Sequence, residues 1–104
     1  MKLRLPVAFA TLFLTGAPAF ADSIDGHWCS GDGRHIQISG VRITTSSGVQ
    51  MEGSYTRHTF AYVAPAAEPE AGGTVNMQLM GETRVSVQAA GGDARIWKRC
   101  ENVS

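Results

Sequence analysis

Residues 35–44 read HIQISGVRIT, and this stretch decides the fold class. Polar and apolar residues alternate over the first five positions, so the two isoleucines there share one face of an extended strand. Gly40 interrupts the alternation, which then resumes with Val41 and Ile43 expected to point inward. Two short alternating segments separated by a glycine are typical of antiparallel β-structure.

The same pattern returns in the second half of the chain. Segments with inward residues at every second position are separated by turn residues about eight to twelve positions apart. Their inward residues are Val75, Met77 and Leu79, then Val85, Val87 and Ala89, and a last segment runs from Ala94 to Cys100. Because parallel strands need long crossovers, the short loops favour antiparallel neighbours. The sequence predicts an all-β fold: a small antiparallel meander barrel or sandwich of about six to eight short strands.

The middle of the chain is less regular. Bulky residues occupy odd positions from Val49 to Tyr55 but even positions from His58 to Tyr62. This change of phase falls at Thr56-Arg57-His58. Either a β-bulge in one long strand or a break between two strands would produce it.

Residues 64–73 form the only extended loop candidate. The segment carries two prolines, two glycines and two glutamates, which disfavour regular structure and keep the chain in water. Such a loop either takes part in binding or only connects two strands.

Residues 1–21 have the layout of a secretory signal peptide. Lys2 and Arg4 give a positive start, an apolar stretch follows, and Ala19-Phe20-Ala21 supplies an A-x-A cleavage site before Asp22. The alternative is a membrane anchor, but the uncharged run of 17 residues is shorter than the roughly 20 that a spanning helix needs. We therefore expect a periplasmic or secreted protein of one domain, residues 22–104, with no stable membrane insertion after cleavage.

Charge and cysteine content narrow the class of the mature chain. Without Lys2 and Arg4, seven basic residues face nine acidic ones, and the basic residues are mostly scattered. This distribution excludes the basic patch of a nucleic-acid binder. The only two cysteines, Cys29 and Cys100, are expected to form a disulfide that closes almost the whole domain. The alternative, a redox or metal-binding thiol pair, lacks the usual C-x-x-C spacing.

Both ends of the domain carry a tryptophan. Gly26-His27-Trp28 near the start, with the basic segment Arg95–Arg99 around Trp97 near the end, resembles the calycin superfamily of lipocalin- and avidin-like barrels. The resemblance implies a closed antiparallel barrel with a ligand-sized mouth and a basic residue of the last strand packed near the first tryptophan. It does not identify a ligand.

Two groups of residues are candidates for recognition. The first is the polar and aromatic cluster Arg57, His58, Phe60 and Tyr62, which coincides with the predicted change of phase. The second is Trp97 with its flanking Arg95 and Arg99, where an indole between two guanidiniums suggests a cation–π contact or a surface for an anionic or aromatic partner.

No catalytic motif is present, so an enzyme is not expected. The leading hypothesis is an exported non-catalytic binding module for a small ligand or a protein partner, with no cofactor. One alternative is an envelope structural or stress-associated protein without a ligand pocket. The other is a copper-handling protein that would use three histidines and three methionines: His27, His35, His58, Met51, Met77 and Met80.

Overall fold

The computed structural model describes residues 23–101, and every regular element within that range is a β-strand. The strands are β1 (Gly26–Cys29), β2 (His35–Ser39), β3 (Arg42–Thr44), β4 (Gln50–Glu52), β5 (Ser54–Tyr55), β6 (Thr59–Val63), β7 (Thr74–Leu79), β8 (Arg84–Ala89) and β9 (Arg95–Arg99). The all-β prediction is confirmed. The strand number exceeds the expected six to eight because the segment from Gln50 to Tyr55 counts as two short strands.

The strands form one antiparallel sheet in the order β4-β3-β2-β1-β9-β8-β7-β6-β5. Neighbours in this order are neighbours in the chain, except that β1 pairs with β9. β4 pairs with β3 and β5 pairs with β6, so the segment through Gly53 joins the two ends of the sheet. The sheet is therefore a nearly closed barrel and not a sandwich.

Gly53 allows this joint because the backbone of a neighbouring strand passes very close to it. A Cβ atom on residue 53 would lie 2.3 Å from the carbonyl oxygen of Ala61 and 2.6 Å from a ring carbon of Phe60. The Gly53 amide donates to the Val41 carbonyl at 2.8 Å. Only a residue without a side chain fits between the two strand pairs.

The inward residues fill the barrel as the alternation predicts. The fully buried side chains include Trp28, Ile36, Ile38, Ile43, Phe60, Val75 and Val85. Val41 is the exception, because its side chain is 47% exposed. It lies in the turn with Gly40, whose φ is 59°, and β3 begins one residue later, so the expected inward position falls outside the strand.

The change of phase is a break between two strands and not a bulge. β5 ends at Tyr55, β6 begins at Thr59, and the two strands pair directly. The Thr56 amide donates to the Thr59 carbonyl at 2.9 Å, while the Thr56 hydroxyl accepts the amides of His58 and Thr59. The connection is a tight hairpin with Arg57 and His58 at its tip.

The predicted disulfide is confirmed, with 5.1 Å between the Cα atoms of Cys29 and Cys100. It joins the first strand to the residue after the last strand. No helix in residues 23–101 is long and apolar enough to cross a membrane. The predicted signal peptide lies outside the described residues.

Candidate functional site

One end of the barrel is plugged by the segment before β1. The Trp28 indole donates to the Ile24 carbonyl at 2.9 Å, and Ile24 itself is fully buried. The Arg99 guanidinium lies 4.3 Å from the centre of the Trp28 ring. It donates to the carbonyls of Ser23 and Asp25 at 2.7 and 2.8 Å. Trp28 therefore has a structural role at the plugged end.

Asp25 completes this plugged end. Its carboxylate accepts the Gly40 amide at 2.6 Å and the Tyr55 hydroxyl. Partial burial raises the pKa of Asp25, but the hydrogen bonds from Gly40, Tyr55 and Ser23 outweigh it and hold that pKa below the ordinary value. The carboxylate thus stays ionised at neutral pH and ties the entering chain to the β2–β3 turn and to the end of β5.

The opposite end is open and contains a cavity of about 790 Å³. Its inner wall is formed by Trp97 with Val75, Val87 and Ala89, and Tyr62, in register with Val75 on the neighbouring strand, continues this wall. The rim comes from the loops that follow β1, β6 and β8. The barrel is thus packed with apolar side chains at one end and hollow at the other.

Arg34 organises the rim. Its guanidinium lies 5.4 Å from the centre of the Trp97 ring. It donates to both carboxylate oxygens of Glu70, at 2.7 and 3.2 Å, and to the Ser46 hydroxyl at 3.1 and 3.2 Å. One side chain therefore connects the β1–β2, β3–β4 and β6–β7 loops.

Glu68, in the same loop as Glu70, also connects the β6–β7 loop to the β3–β4 loop and to Arg34. One carboxylate oxygen accepts the Ser47 hydroxyl at 2.8 Å and the Ser47 amide at 3.3 Å. The other oxygen lies 3.6 Å from the Arg34 guanidinium. Within the described residues it has no hydrogen-bond partner, although the side chain is only 2% exposed. Residues 64–73 are consequently a compact loop folded over one side of the opening, and we call this segment the flap.

The charges at the rim are mutually stabilised. The hydrogen bond from Arg34 lowers the pKa of Glu70 despite partial burial, and the same bond raises the pKa of Arg34. Burial, with the nearby carboxylates of Glu68 and Glu70, raises the pKa of Tyr62 to about 12. Tyr62 therefore presents a neutral hydroxyl to the cavity at physiological pH.

The predicted recognition residues separate into two locations. Arg57 and His58 lie on the hairpin at the plugged end, and Phe60 is a core residue that is 1% exposed. Tyr62, Arg95 and Trp97 line the cavity at the open end. The first predicted cluster is therefore not one surface.

The sequence suggests either a cation–π contact of Trp97 with its flanking arginines or a recognition surface, and in the described residues the arginine–tryptophan contacts are paired differently. Arg99 is in register with Trp28 on the neighbouring strand and covers that ring. Arg34, from the β1–β2 loop, covers Trp97 instead. Flanking positions on one strand are separated along the barrel axis, so an arginine two residues away meets the next layer of side chains.

Sequence reasoning missed Arg34, Glu68 and Glu70. The only signal was a pair of glutamates in an otherwise structureless loop. Arg34 and Glu70 are 36 residues apart, and no local pattern relates them.

The proposed set of histidines and methionines is dispersed. Met77 belongs to the core, Met51 packs against it, and Met80 is 52% exposed in the β7–β8 turn. Among residues 23–101 no group of three or more His, Cys, Asp or Glu side chains is placed to hold a metal ion. His27 and His35 do lie together, on the outside of the barrel.

Comparisons with protein-family models, curated proteins and solved structures give no match.

Proposed function

We propose that this protein is an exported, non-catalytic binding module that holds a small ligand in the cavity at the open end of the barrel. The observation that carries the proposal is the 790 Å³ cavity in a barrel whose other end is plugged. Small-molecule sites have volumes of about 300–1,000 Å³ and combine apolar walls with a few polar groups. The disulfide fits an oxidising compartment outside the cytosol.

The lining indicates the chemistry of the ligand. Val75, Val87 and the Trp97 ring offer an apolar wall to a flat hydrocarbon or aromatic portion. The Tyr62 hydroxyl and the rim around Arg34 offer hydrogen-bond donors to a polar group. We infer an amphipathic organic molecule whose apolar part lies inside and whose polar part reaches the rim.

The test uses 8-anilinonaphthalene-1-sulfonate, a fluorescent dye with an aromatic body and one anionic group. We expect one dye molecule to bind per barrel, with an increase in dye fluorescence. Ala89→Trp places a large ring in the cavity and should reduce dye affinity at least tenfold. The double variant Arg57→Ala/His58→Ala changes only the plugged end and should bind dye like the parent protein.

This dye also binds partly unfolded chains. Thermal melting of each variant is therefore measured as well, to show that the barrel is still folded. A folded parent protein that binds no dye would contradict the proposal and favour a structural role. Dye binding that Ala89→Trp leaves unchanged, but that the double variant removes, would move the site to the hairpin of Arg57 and His58.

A further inference from the structure

His27 and His35 form a pair on the outer surface of the barrel, away from the cavity. They lie on the adjacent strands β1 and β2, where His27 is paired with Gln37 and His35 with Cys29. The two histidines are thus diagonal neighbours on the face opposite the buried Trp28. Diagonal side chains on neighbouring strands are within reach of each other.

The ring nitrogens of the pair are in direct contact. Nδ1 of His27 lies 2.8 Å from Nε2 of His35, and the ring planes differ by 20°. The ring centres are 5.0 Å apart, so the rings meet at their edges and not face to face. One nitrogen donates the hydrogen between them and the other accepts it.

The 2.8 Å separation is that of the N–H···N hydrogen bond, and it places the two nitrogens close enough for both to reach one metal ion once the rings have turned. With metal–nitrogen bonds of about 2.0–2.1 Å, two ligand nitrogens are about 2.9 Å apart at a right angle and about 3.3 Å apart at a tetrahedral angle. The observed 2.8 Å is set by the hydrogen bond and lies within about 0.1–0.5 Å of these two separations, so small ring rotations bring both lone pairs to one cation. Square and tetragonal arrangements of nitrogen ligands are typical of Cu²⁺ and Ni²⁺, while Zn²⁺ prefers a tetrahedron.

Both imidazoles must be neutral to act as ligands. On binding a cation, each ring turns so that its lone pair faces the metal, and each keeps its proton on the other ring nitrogen.

The surroundings leave the rest of the coordination sphere open. The neighbouring outward positions are Cys29 on β1, Gln37 and Thr44 on β2 and β3, and Lys98 and Cys100 beyond β1. Cys100 is held in the disulfide, so it cannot act as a thiolate ligand. Water would fill the remaining positions.

We propose that His27 and His35 form a two-histidine site for a divalent first-row metal cation, with Cu²⁺ bound more tightly than Zn²⁺. The order of affinity follows from nitrogen ligation, for which Cu²⁺ is the strongest binder in the divalent series. The site is independent of the cavity. It also differs from the expected set of histidines and methionines, because it uses no thioether.

The experiment titrates the oxidised protein with CuCl₂ and with ZnCl₂ at pH 7.5 by isothermal calorimetry, and the copper complex is examined by electron paramagnetic resonance. We expect one Cu²⁺ per chain, hyperfine coupling to two nitrogens, and weaker Zn²⁺ binding. His27→Asn and His35→Asn should each weaken Cu²⁺ binding at least tenfold. His58→Asn, on the distant hairpin, is the matched control and should bind Cu²⁺ like the parent.

Absence of stoichiometric Cu²⁺ uptake by the folded parent protein would overturn the proposal. Uptake that persists in both His27→Asn and His35→Asn would overturn it as well, because the copper would then be bound elsewhere. Tighter binding of Zn²⁺ than of Cu²⁺ would contradict the proposed preference for Cu²⁺. Circular dichroism of each variant establishes that a loss of binding is not a loss of fold.

Discussion

Two arginines perform the same task at opposite ends of the barrel. Arg99 covers Trp28 and donates to backbone carbonyls at the plugged end. Arg34 covers Trp97 and donates to side-chain oxygens at the open end. A guanidinium suits both positions because its planar fork donates several hydrogen bonds while its face stacks on an indole. The difference in acceptors matters, since backbone carbonyls hold a fixed structure whereas side-chain contacts can be exchanged.

Single residues were also the hardest to predict from the sequence. Trp28 and Trp97 were recognised as important, because large aromatic residues near the ends of a short chain are conspicuous. The resemblance implies a basic residue of the last strand beside Trp28, but the sequence does not assign Arg34 to Trp97, since strand register decides which side chains share a layer. Register depends on all the hairpins together, and the flanking residues of one strand do not reveal it.

Gly53 provides a prediction at this scale. Gly53→Ala places a methyl group against the Ala61 carbonyl and the Phe60 ring, so either the joint or the core must shift. We expect the free energy of unfolding to fall by about 1–3 kcal/mol, the usual range for overpacking. Urea denaturation measures the change.

Gly31→Ala is the matched control for this substitution. Neither Gly31 nor Gly53 has a positive φ, and a Cβ on residue 31 would have no neighbour within 4 Å. Its unfolding free energy should therefore stay the same or rise by up to about 1 kcal/mol through the unfolded chain. Equal effects of the two substitutions would show that the close approach at Gly53 does not limit stability.

Among the elements, the flap differs most from its sequence-based description. The sequence indicated a loop that either binds or connects. In the structure its backbone is folded on itself through bonds such as Ala71 to Glu68 and Gly73 to Glu70, each at 3.0 Å. Its two glutamates attach it to neighbouring loops through Arg34 and Ser47. The flap thus borders the cavity and is fastened mainly by ionic contacts.

The strands themselves were more predictable than the flap. Alternation identified the buried faces of β2, β7 and β8 because each of these strands is inserted between two neighbours and has one apolar side. Boundaries were less certain, as the exposed Val41 shows. The sequence leaves two explanations open for the change of phase at Thr56, since a bulge and a tight turn change the phase of alternation in the same way.

The ionic fastening of the flap predicts a dependence on pH. The pKa of Glu70 in the folded protein is lowered from the ordinary 4.5 by its hydrogen bond to Arg34. Its contribution to stability is therefore fully present above pH 4.5 and is lost as the pH falls through the lowered folded value. Glu70→Gln should reduce the unfolding free energy by about 1 kcal/mol at pH 7, because a partly exposed ion pair such as Arg34–Glu70 contributes little more than this to stability.

Urea denaturation of both proteins between pH 7 and pH 3 measures this difference. The difference in unfolding free energy between the parent protein and Glu70→Gln should narrow as the pH falls below 4.5. Glu101→Gln is the control, because it changes an exposed carboxyl beside Cys100. Its unfolding free energy should equal that of the parent protein. A gap for Glu70→Gln that widened in acid would contradict the assigned direction of the pKa shift.

On the scale of the whole molecule, the disulfide secures the pairing of β1 with β9, the one pairing among residues 23–101 between strands distant in the chain. β1 and β9 are the first and last strands, and Cys29 and Cys100 are separated by 71 residues. The chain-entropy model gives such a bond a contribution of about 4 kcal/mol. The sequence sufficed to predict the bond, because two cysteines allow a single intramolecular pairing. It did not separate barrel from sandwich, which depends on the joint at Gly53.

Removal of this bond is expected to lower the stability of the barrel strongly. Cys29→Ala/Cys100→Ala should reduce the free energy of unfolding by about 4 kcal/mol, measured by urea denaturation. Dithiothreitol should lower the midpoint of the parent protein to a similar extent and leave that of the double variant unchanged. Thiol labelling under denaturing conditions monitors the oxidation state. A parent midpoint that stays constant after complete reduction would contradict this role.

The joint at Gly53 has a further consequence for behaviour in concentrated solution. Strand edges with unpaired amides and carbonyls are where folded β-proteins recruit other chains into aggregates. Here the two outermost strands of the sheet, β4 and β5, are only three and two residues long and are consecutive in the chain. Neither offers an edge long enough to template a growing fibril. In the folded state, the barrel is thus protected against edge-to-edge association by the same short segment that closes it.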